Sequence, residues 1–286
     1  MTLIKALTLG TTLLFTFGLE AASVWKVTNG QHSLYIGGTI HVLTPNDYPL
    51  AKEYDLAYQT SGKIIFETDM EVVSSPEFGQ KMMDKMMYND GTTIKKVLQP
   101  DTYQALAAHL LSRQIPMQTF TSHKPSLLAI SLTFIELQSM GYTSEGVDMF
   151  FANMAKADGK EQGWLETPDE QLSIIANLGN NDPNAMIEYT LKDIKNMPET
   201  FSKLHSTWFE GDMQGMAEVG ITPFKADYPV IYQDLLVTRN NNWFPKIVNM
   251  LNDTPIEFVL VGALHLSGPD SVLAKLRARG YIIKKI

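Results

Sequence analysis

The 286-residue chain contains no cysteine. Disulfide bonds, thiol nucleophiles and cysteine-ligated metals are therefore excluded, and any metal site must use histidine, carboxylate, amide or water ligands. The chain also lacks runs of like charge and stretches of low complexity. Its net charge of −8 argues against binding to nucleic acid or to anionic membranes, because both require basic surfaces.

Long apolar runs are scarce as well. A run near the N-terminus covers residues 6–19, with Lys5 as the charge before it, and is short for a membrane span. The small residues Ala21 and Ala22 follow it. This arrangement is typical of a secretory signal peptide over residues 1–22, cleaved near Ala21 or Ala22; the alternative is an uncleaved anchor. We expect a periplasmic or secreted protein with no stable membrane span after cleavage.

The remaining sequence has the composition of a folded domain. Hydrophobic residues make up 44% of the chain and charged residues 19%, which allows a substantial core. No linker rich in proline, glycine or serine interrupts residues 23–286. We therefore predict a single domain over this range.

An apolar strand, a glycine and a histidine recur together near both ends of the chain. Residues 34–43 read Leu-Tyr-Ile-Gly-Gly-Thr-Ile-His-Val-Leu, and residues 258–266 read Phe-Val-Leu-Val-Gly-Ala-Leu-His-Leu. In each copy a glycine, Gly38 or Gly262, stands three residues before the histidine, His41 or His265. Glycine at this position lets the chain turn tightly and lets a ligand approach the backbone.

The strand and helix signals predict a mixed α/β fold. Residues 24–27 and 33–36 form a predicted hairpin around Asn29 and Gly30, and further strands are expected at 63–66 and 161–165. Residues 256–261, 270–279 and 281–285 predict a final strand–helix–strand unit with parallel strands. The expected architecture is an α/β (mixed α+β) fold. Its central, mostly parallel sheet carries the two Gly-x-x-His strand ends.

A large helical insertion is predicted between about residues 70 and 253. Prolines that follow polar residues mark several helix starts, among them Pro76, Pro125 and Pro183. Another helix is expected to begin at Pro198, and Pro245 is expected to kink or break a helix that covers residues 229–252.

Three polar side chains follow predicted strands. His41, Glu67 and His265 each come just after an apolar strand, and ligands of open α/β sheets bind beyond the carboxyl ends of the strands. Two imidazoles and a carboxylate suit a divalent metal ion with a bound water. Alternatively, Glu67 is a general base, and Asp69 or Glu166 supplies a second carboxylate or orients a histidine.

A polar segment, Arg-Asn-Asn-Asn, lies within the last long helical stretch. It begins at Arg239 and Asn240. One interpretation is a solvated face or an interruption of the helix. The other is an arginine and an amide that point at the site.

These motifs resemble those of the TraB/GumN family, which belongs to the wider Tiki and erythromycin-esterase-like superfamily. The resemblance covers nearly the whole chain after the signal peptide. The matching segments are Gly-Gly-Thr-Ile-His at 37–41, Phe-Glu-Thr-Asp at 66–69, Gly-Val-Asp at 146–148, Trp-Leu-Glu-Thr at 164–167, Thr-Arg-Asn at 238–240 and Val-Gly-Ala-Leu-His-Leu-Ser-Gly at 261–268, followed by Arg-Gly-Tyr at 279–281.

The resemblance implies a mixed α/β core with a helical insertion and a catalytic or metal centre. It assigns His41, Glu67 and His265 to a divalent metal ion (Zn, Mn or Co) and adds Arg239 and Asn240, with Glu67, as catalytic residues. Tiki-type relatives look like metal-dependent proteases, whereas the esterase relatives are similar hydrolases that use histidine and glutamate without a metal.

We therefore expect a metal-dependent hydrolase that acts on a peptide or another small carbonyl substrate. The alternative is a non-catalytic protein that uses the same pocket to bind a metal or haem, or to sequester a peptide. The methionines at 82, 83, 86 and 87 would suit a haem or iron binder. The sequence leaves the oligomeric state open.

Overall fold

The structure, a computed structural model, describes residues 22–252 and 254–286. The predicted signal peptide therefore lies outside the described residues, apart from Ala22. Among the described helices, none combines the length and the apolar character that crossing a bilayer requires.

Six strands form one sheet in the order β4-β3-β5-β2-β1-β6. Strands β4, β3, β5 and β2 pair in parallel, whereas β1 is antiparallel to both of its neighbours. The predicted mostly parallel sheet and the hairpin are confirmed, and β5 and β6 run in the same direction with β2 and β1 between them. The strands are β1 (Val24–Thr28), β2 (Ser33–Thr39), β3 (Lys63–Phe66), β4 (Glu161–Trp164), β5 (Glu257–Gly262) and β6 (Ile282–Lys285).

The segment between β3 and β5 is largely helical and also supplies β4. Two π-helical segments, Ala217–Ile221 and Gln233–Val237, interrupt its second half. The α-helices of the described chain are α1 (Lys52–Thr60), α2 (Met70–Val73), α3 (Pro76–Met86), α4 (Ile94–Val97), α5 (Pro100–Ser112), α6 (Pro125–Ser139), α7 (Val147–Asp158), α8 (Pro168–Asn177), α9 (Pro183–Glu210), α10 (Met213–Met216), α11 (Thr222–Asp227), α12 (Pro229–Tyr232), α13 (Thr238–Met250) and α14 (Val272–Ala278).

The central strand β5 is buried on both faces, which explains its unbroken apolar sequence. Phe258 and Leu260 pack on one side of the sheet in a cluster that includes Phe151 of α7. Val259 and Val261 pack on the other side in a cluster that includes residues of α13 and α14. A further cluster joins α5, α6 and α9 and holds the helical part together.

The helix start predicted at Pro198 is wrong, because Pro198 lies inside the continuous helix α9. Pro245 lies inside α13 and does not break it. A proline removes one backbone hydrogen bond, but buried neighbours on the same helix outweigh that loss. Met197 is buried beside Pro198, and Trp243 and Ile247 are buried on either side of Pro245.

The start of α7 lies directly against the chain that leaves β2. The backbone N–H of Val147 donates to the carbonyl oxygen of Ile40 at 3.1 Å. A side chain at Gly146 would overlap the backbone of Ile40 and His41. Glycine is therefore required here by close approach of two backbones.

We expect Gly146→Ala to lower the free energy of unfolding by about 1–3 kcal/mol, because the new methyl group forces the two segments apart. Chemical denaturation followed by circular dichroism measures this change. The matched control is Gly79→Ala in α3, where no atom lies within 4 Å of the added carbon. That control should be neutral or stabilising by about 0.5–1 kcal/mol. An equal response of the two variants would contradict the packing argument.

Candidate functional site

The structure brings three polar residues together at one end of the sheet. His41 lies two residues beyond β2, Glu67 directly follows β3, and His265 lies in the short turn Ala263–Leu266 after β5. Since β3, β5 and β2 are adjacent and parallel, these residues reach the same edge. All three line one cavity of about 500 Å³.

The guanidinium of Arg239 forms the centre of the site. Its Nη2 donates to Glu67 Oε2 at 2.6 Å and to Glu166 Oε1 at 2.6 Å, and its Nε donates to both oxygens of Glu166. All three side chains are buried. Trp243 supports the cluster, because its ring lies 4.5 Å from the guanidinium carbon and its Nε1 donates to Glu166 Oε2 at 3.0 Å.

Glu67 is held as a carboxylate. Burial raises its pKa, but the positive charge of Arg239, with smaller contributions from protonated His41 and a backbone hydrogen bond, lowers the pKa to about 2. That hydrogen bond comes from the backbone N–H of Gly262, which donates to Oε1 at 2.7 Å. Oε2 of Glu67 therefore accepts from Arg239, and Oε1 accepts from Gly262.

His265 is buried, and both of its ring nitrogens are engaged. Its Nδ1 lies 2.7 Å from Asn240 Oδ1, and its Nε2 lies 3.2 Å from Arg239 Nη1. The amide nitrogen of Asn240 donates to the Asp270 carbonyl, so Oδ1 accepts from Nδ1–H and Nε2 accepts from Arg239. Burial lowers the pKa of His265, and the charge of Arg239 adds to that effect. The imidazole is therefore neutral at physiological pH.

His41 has the opposite environment. Its side chain is 66% exposed at the mouth of the cavity, and its Nδ1 lies 2.7 Å from Asp148 Oδ2. The negative charge of the buried Asp148 raises the pKa of His41 to about 9. The ring is therefore protonated at neutral pH.

Asp148 was not predicted as a site residue, although it lies in the Gly-Val-Asp motif. The sequence showed it at the start of a helix. Only the contact between the start of α7 and the chain around His41 places this carboxylate beside the imidazole.

Gly262 lies between the two ionisable groups. A Cβ added to Gly262 would lie 3.3 Å from Glu67 Oε1, which is tighter than an ordinary contact, and 3.9 Å from His41 Nε2. Glu67, His41 and Gly262 also line the same cavity. In this copy of the Gly-x-x-His motif, glycine therefore lets the backbone approach the Glu67 carboxylate closely.

The rest of the cavity wall is apolar. The π-helical segment Gln233–Val237 supplies Leu235 and Leu236 and leads directly into the first turn of α13, which carries Arg239. π-Helical segments occur often at functional sites. The remaining apolar wall includes Val42, Phe134, Leu137, Phe201, Leu204, Met216, Phe224 and Leu264.

Of the other residues predicted from the sequence, Glu166 belongs to the site and Asp69 does not. Glu166 is a second carboxylate that orients Arg239. Asp69 instead caps α2 by accepting from the backbone N–H groups of Glu71 and Val72. The methionine-rich segment of α3 packs in a small apolar cluster with Leu127 and does not line the cavity of His41.

The predicted divalent ion would need His41, Glu67 and His265 as donors. His265 Nε2 and Glu67 Oε1 are 3.9 Å apart, but Arg239 takes the lone pair of Nε2 and one oxygen of Glu67. Among the residues that the structure describes, no group of three such side chains is arranged to hold a metal ion. The three predicted ligands do not fit an ion while Arg239 keeps this position.

Nearly the whole described chain matches the sequence pattern of one family. The model of the TraB/PrgY/gumN family matches residues 23–285. The chain belongs to this family. No curated protein and no solved structure matched the chain. The resemblance predicted from the motifs is thus confirmed over nearly the whole chain.

We expect Arg239→Ala to lower the free energy of unfolding by about 3–5 kcal/mol, because it leaves the buried carboxylates of Glu67 and Glu166 without a counter-charge. Denaturant titration measures the loss. The control is Arg277→Ala, an exposed arginine of α14, which should change stability by less than about 0.5 kcal/mol. Equal effects of the two substitutions would mean that the central ion cluster does not stabilise the fold.

Proposed function

We propose that this protein is an extracytoplasmic hydrolase of a peptide or another carbonyl compound. One observation carries the proposal: Glu67 and His41, whose pKa values are driven in opposite directions, line the same cavity on either side of Gly262. Pairs of titratable groups with separated pKa values are typical of acid–base catalysis. The apolar run at residues 6–19 supports the location outside the cytoplasm.

The charge states assign the roles. Glu67 is the general base: its Oε1 takes a proton from a water in the cavity beside Gly262, and the water oxygen attacks the substrate carbonyl carbon. His41 is the general acid: its protonated Nε2 gives a proton to the leaving oxygen or nitrogen as the bond to the carbonyl carbon breaks. The proton on Glu67 then restores His41 through solvent, so that the net reaction is hydrolysis.

Arg239, Asn240 and His265 act as positioning residues in this mechanism. The guanidinium donors of Arg239 are used by Glu67, Glu166, His265 and the Leu235 carbonyl. Arg239 therefore fixes the orientation of the Glu67 carboxylate and keeps it ionised. His265 and Asn240 in turn hold Arg239 and the turn after β5.

The apolar wall favours a substrate with an apolar group next to the scissile bond. Aromatic and aliphatic side chains from α6, α9 and the π-helical segment surround the cavity. Burying such a group contributes about 25 cal/mol for each Å² of apolar surface removed from water. Peptides with apolar residues and apolar esters are thus the substrates to assay first.

The central test compares wild type with Glu67→Gln on a peptide library and an ester panel. Wild type should turn over at least one class, and Glu67→Gln should lose about 10²–10⁴-fold in kcat, as expected for a lost general base. Gly262→Ala gives a second variant that keeps all charges but crowds Glu67 Oε1, and it should also lower kcat. Equal turnover by Glu67→Gln would remove Glu67 from the mechanism. Binding without turnover by wild type would favour a sequestering protein.

Metal analysis of the same purified protein tests the predicted ion. About one Zn, Mn or Co per chain, lost in both His41→Ala and His265→Ala, would support metal dependence and would require Arg239 to move. Strong visible absorption would indicate haem instead. Full activity in the presence of a chelator would support the metal-free scheme.

The pH dependence tests the role of His41. Because the reaction needs protonated His41, kcat/KM should fall as pH rises through about 9, the pKa of His41. Asp148→Asn removes the charge that raises this pKa, so the alkaline limb should move down toward 6.5, the ordinary value. The control, Asp55→Asn on the exposed side of α1, should leave the limb in place. A rate that increases through pH 9 would instead make His41 the base.

A further inference from the structure

A second cavity opens beside the candidate active site. It has a volume of about 410 Å³. The two cavities share four apolar wall residues: Leu204, Phe224, Leu235 and Leu264. They are therefore neighbouring parts of one groove, and a ligand that occupies the first can extend into the second. We call the second cavity the annex.

One face of helix α9 runs along this groove. Tyr189, Asp193, Asn196 and Thr200 line the annex, and Leu204 lies in the wall of both cavities. The spacing of three and four residues places these side chains on one side of the helix. With a rise of about 1.5 Å per residue, Asp193 and Leu204 are about 16 Å apart along the axis. An extended peptide covers that distance with roughly four or five residues.

The annex contains an unpaired acid. Lys192 Nζ lies 2.8 Å from Asp227 Oδ2, so these two charges neutralise each other. Asp193, partly buried in the wall, forms no hydrogen bond or ion pair with any described residue. Burial raises the pKa of its carboxyl group. A positive charge on a ligand would offset the cost of burying this carboxylate.

Aromatic residues line the same cavity as Asp193. Tyr189, Phe224 and Tyr228 all lie in its wall, where the rings of Tyr189 and Tyr228 are 4.0 Å apart and Tyr189 stacks on Phe224 at 6.0 Å. Aromatic rings attract ammonium and guanidinium groups. The annex thus combines a negative charge with aromatic side chains, whereas the first cavity is apolar apart from the polar cluster around Arg239.

We propose that the annex is a specificity site for a positively charged side chain of a peptide substrate, with Asp193 as the residue that recognises it. The inference rests on the proposed hydrolase function and adds a substrate class to it: an apolar peptide with a lysine or arginine roughly four or five residues from the residue that packs on Leu204. Apolar residues of the peptide fill the first cavity, and the basic side chain enters the annex.

Binding and cleavage are measured separately, so that this inference and the proposed function can fail independently. The probes are short alanine–leucine peptides that carry a single lysine, moved stepwise along the chain, or norleucine as its uncharged counterpart. Affinity is measured by fluorescence polarisation in the His41→Ala background, with Asp193→Asn and Glu199→Gln added singly. Glu199 is the matched control, since it is an exposed acid on the same helix.

At the best position, the lysine peptide should bind about tenfold more tightly than the norleucine peptide, as expected for a partly desolvated ion pair. Asp193→Asn should abolish this difference, and Glu199→Gln should preserve it. Equal binding of the two peptides, or an equal loss in both variants, would overturn the inference. Asp193-dependent binding without cleavage by wild type would contradict the hydrolase proposal but not the specificity site. Cleavage without any lysine preference would contradict the specificity site but not the hydrolase proposal.

Discussion

A single guanidinium, buried between two carboxylates, holds the site together. Arg239 contacts Glu67, Glu166 and His265, which come from three separate parts of the chain. None of these contacts is local in sequence, so the ion cluster forms only when the sheet and α13 have packed. Removing one partner would leave an uncompensated buried charge, which makes the cluster sensitive to any change in its members.

The same cluster gives the two motif histidines different properties. His265 lies inside it, where burial and the positive charge of Arg239 keep the ring neutral and both nitrogens are occupied. His41 lies at the rim, where Asp148 keeps it protonated and its Nε2 lies near Gly262. Two copies of one short motif therefore have histidines in different charge states, and neighbouring charges determine the state of each.

Much of the fold followed from local signals. The strand β5 is buried on both faces of the sheet. Its continuous apolar sequence predicted a central strand, because an exposed face would require polar residues at alternate positions. The placement of His41, Glu67 and His265 at strand ends was also visible, since parallel neighbours end at the same edge. The helix start predicted at Pro198 was wrong, and Pro245 did not break α13, because tertiary packing outweighed one missing hydrogen bond at each position.

The sequence by itself determined the family, the strand ends and the candidate residues, because motif order and hydrophobic patterning are local properties. Only the tertiary structure decided which nitrogen and oxygen atoms are occupied. It placed Asp148 beside His41, put Arg239 where a metal ion was predicted, and joined the annex along α9 to the cavity of His41 and Glu67. These features depend on contacts between residues far apart in the chain, and the charge state of a buried group depends on all of its neighbours at once.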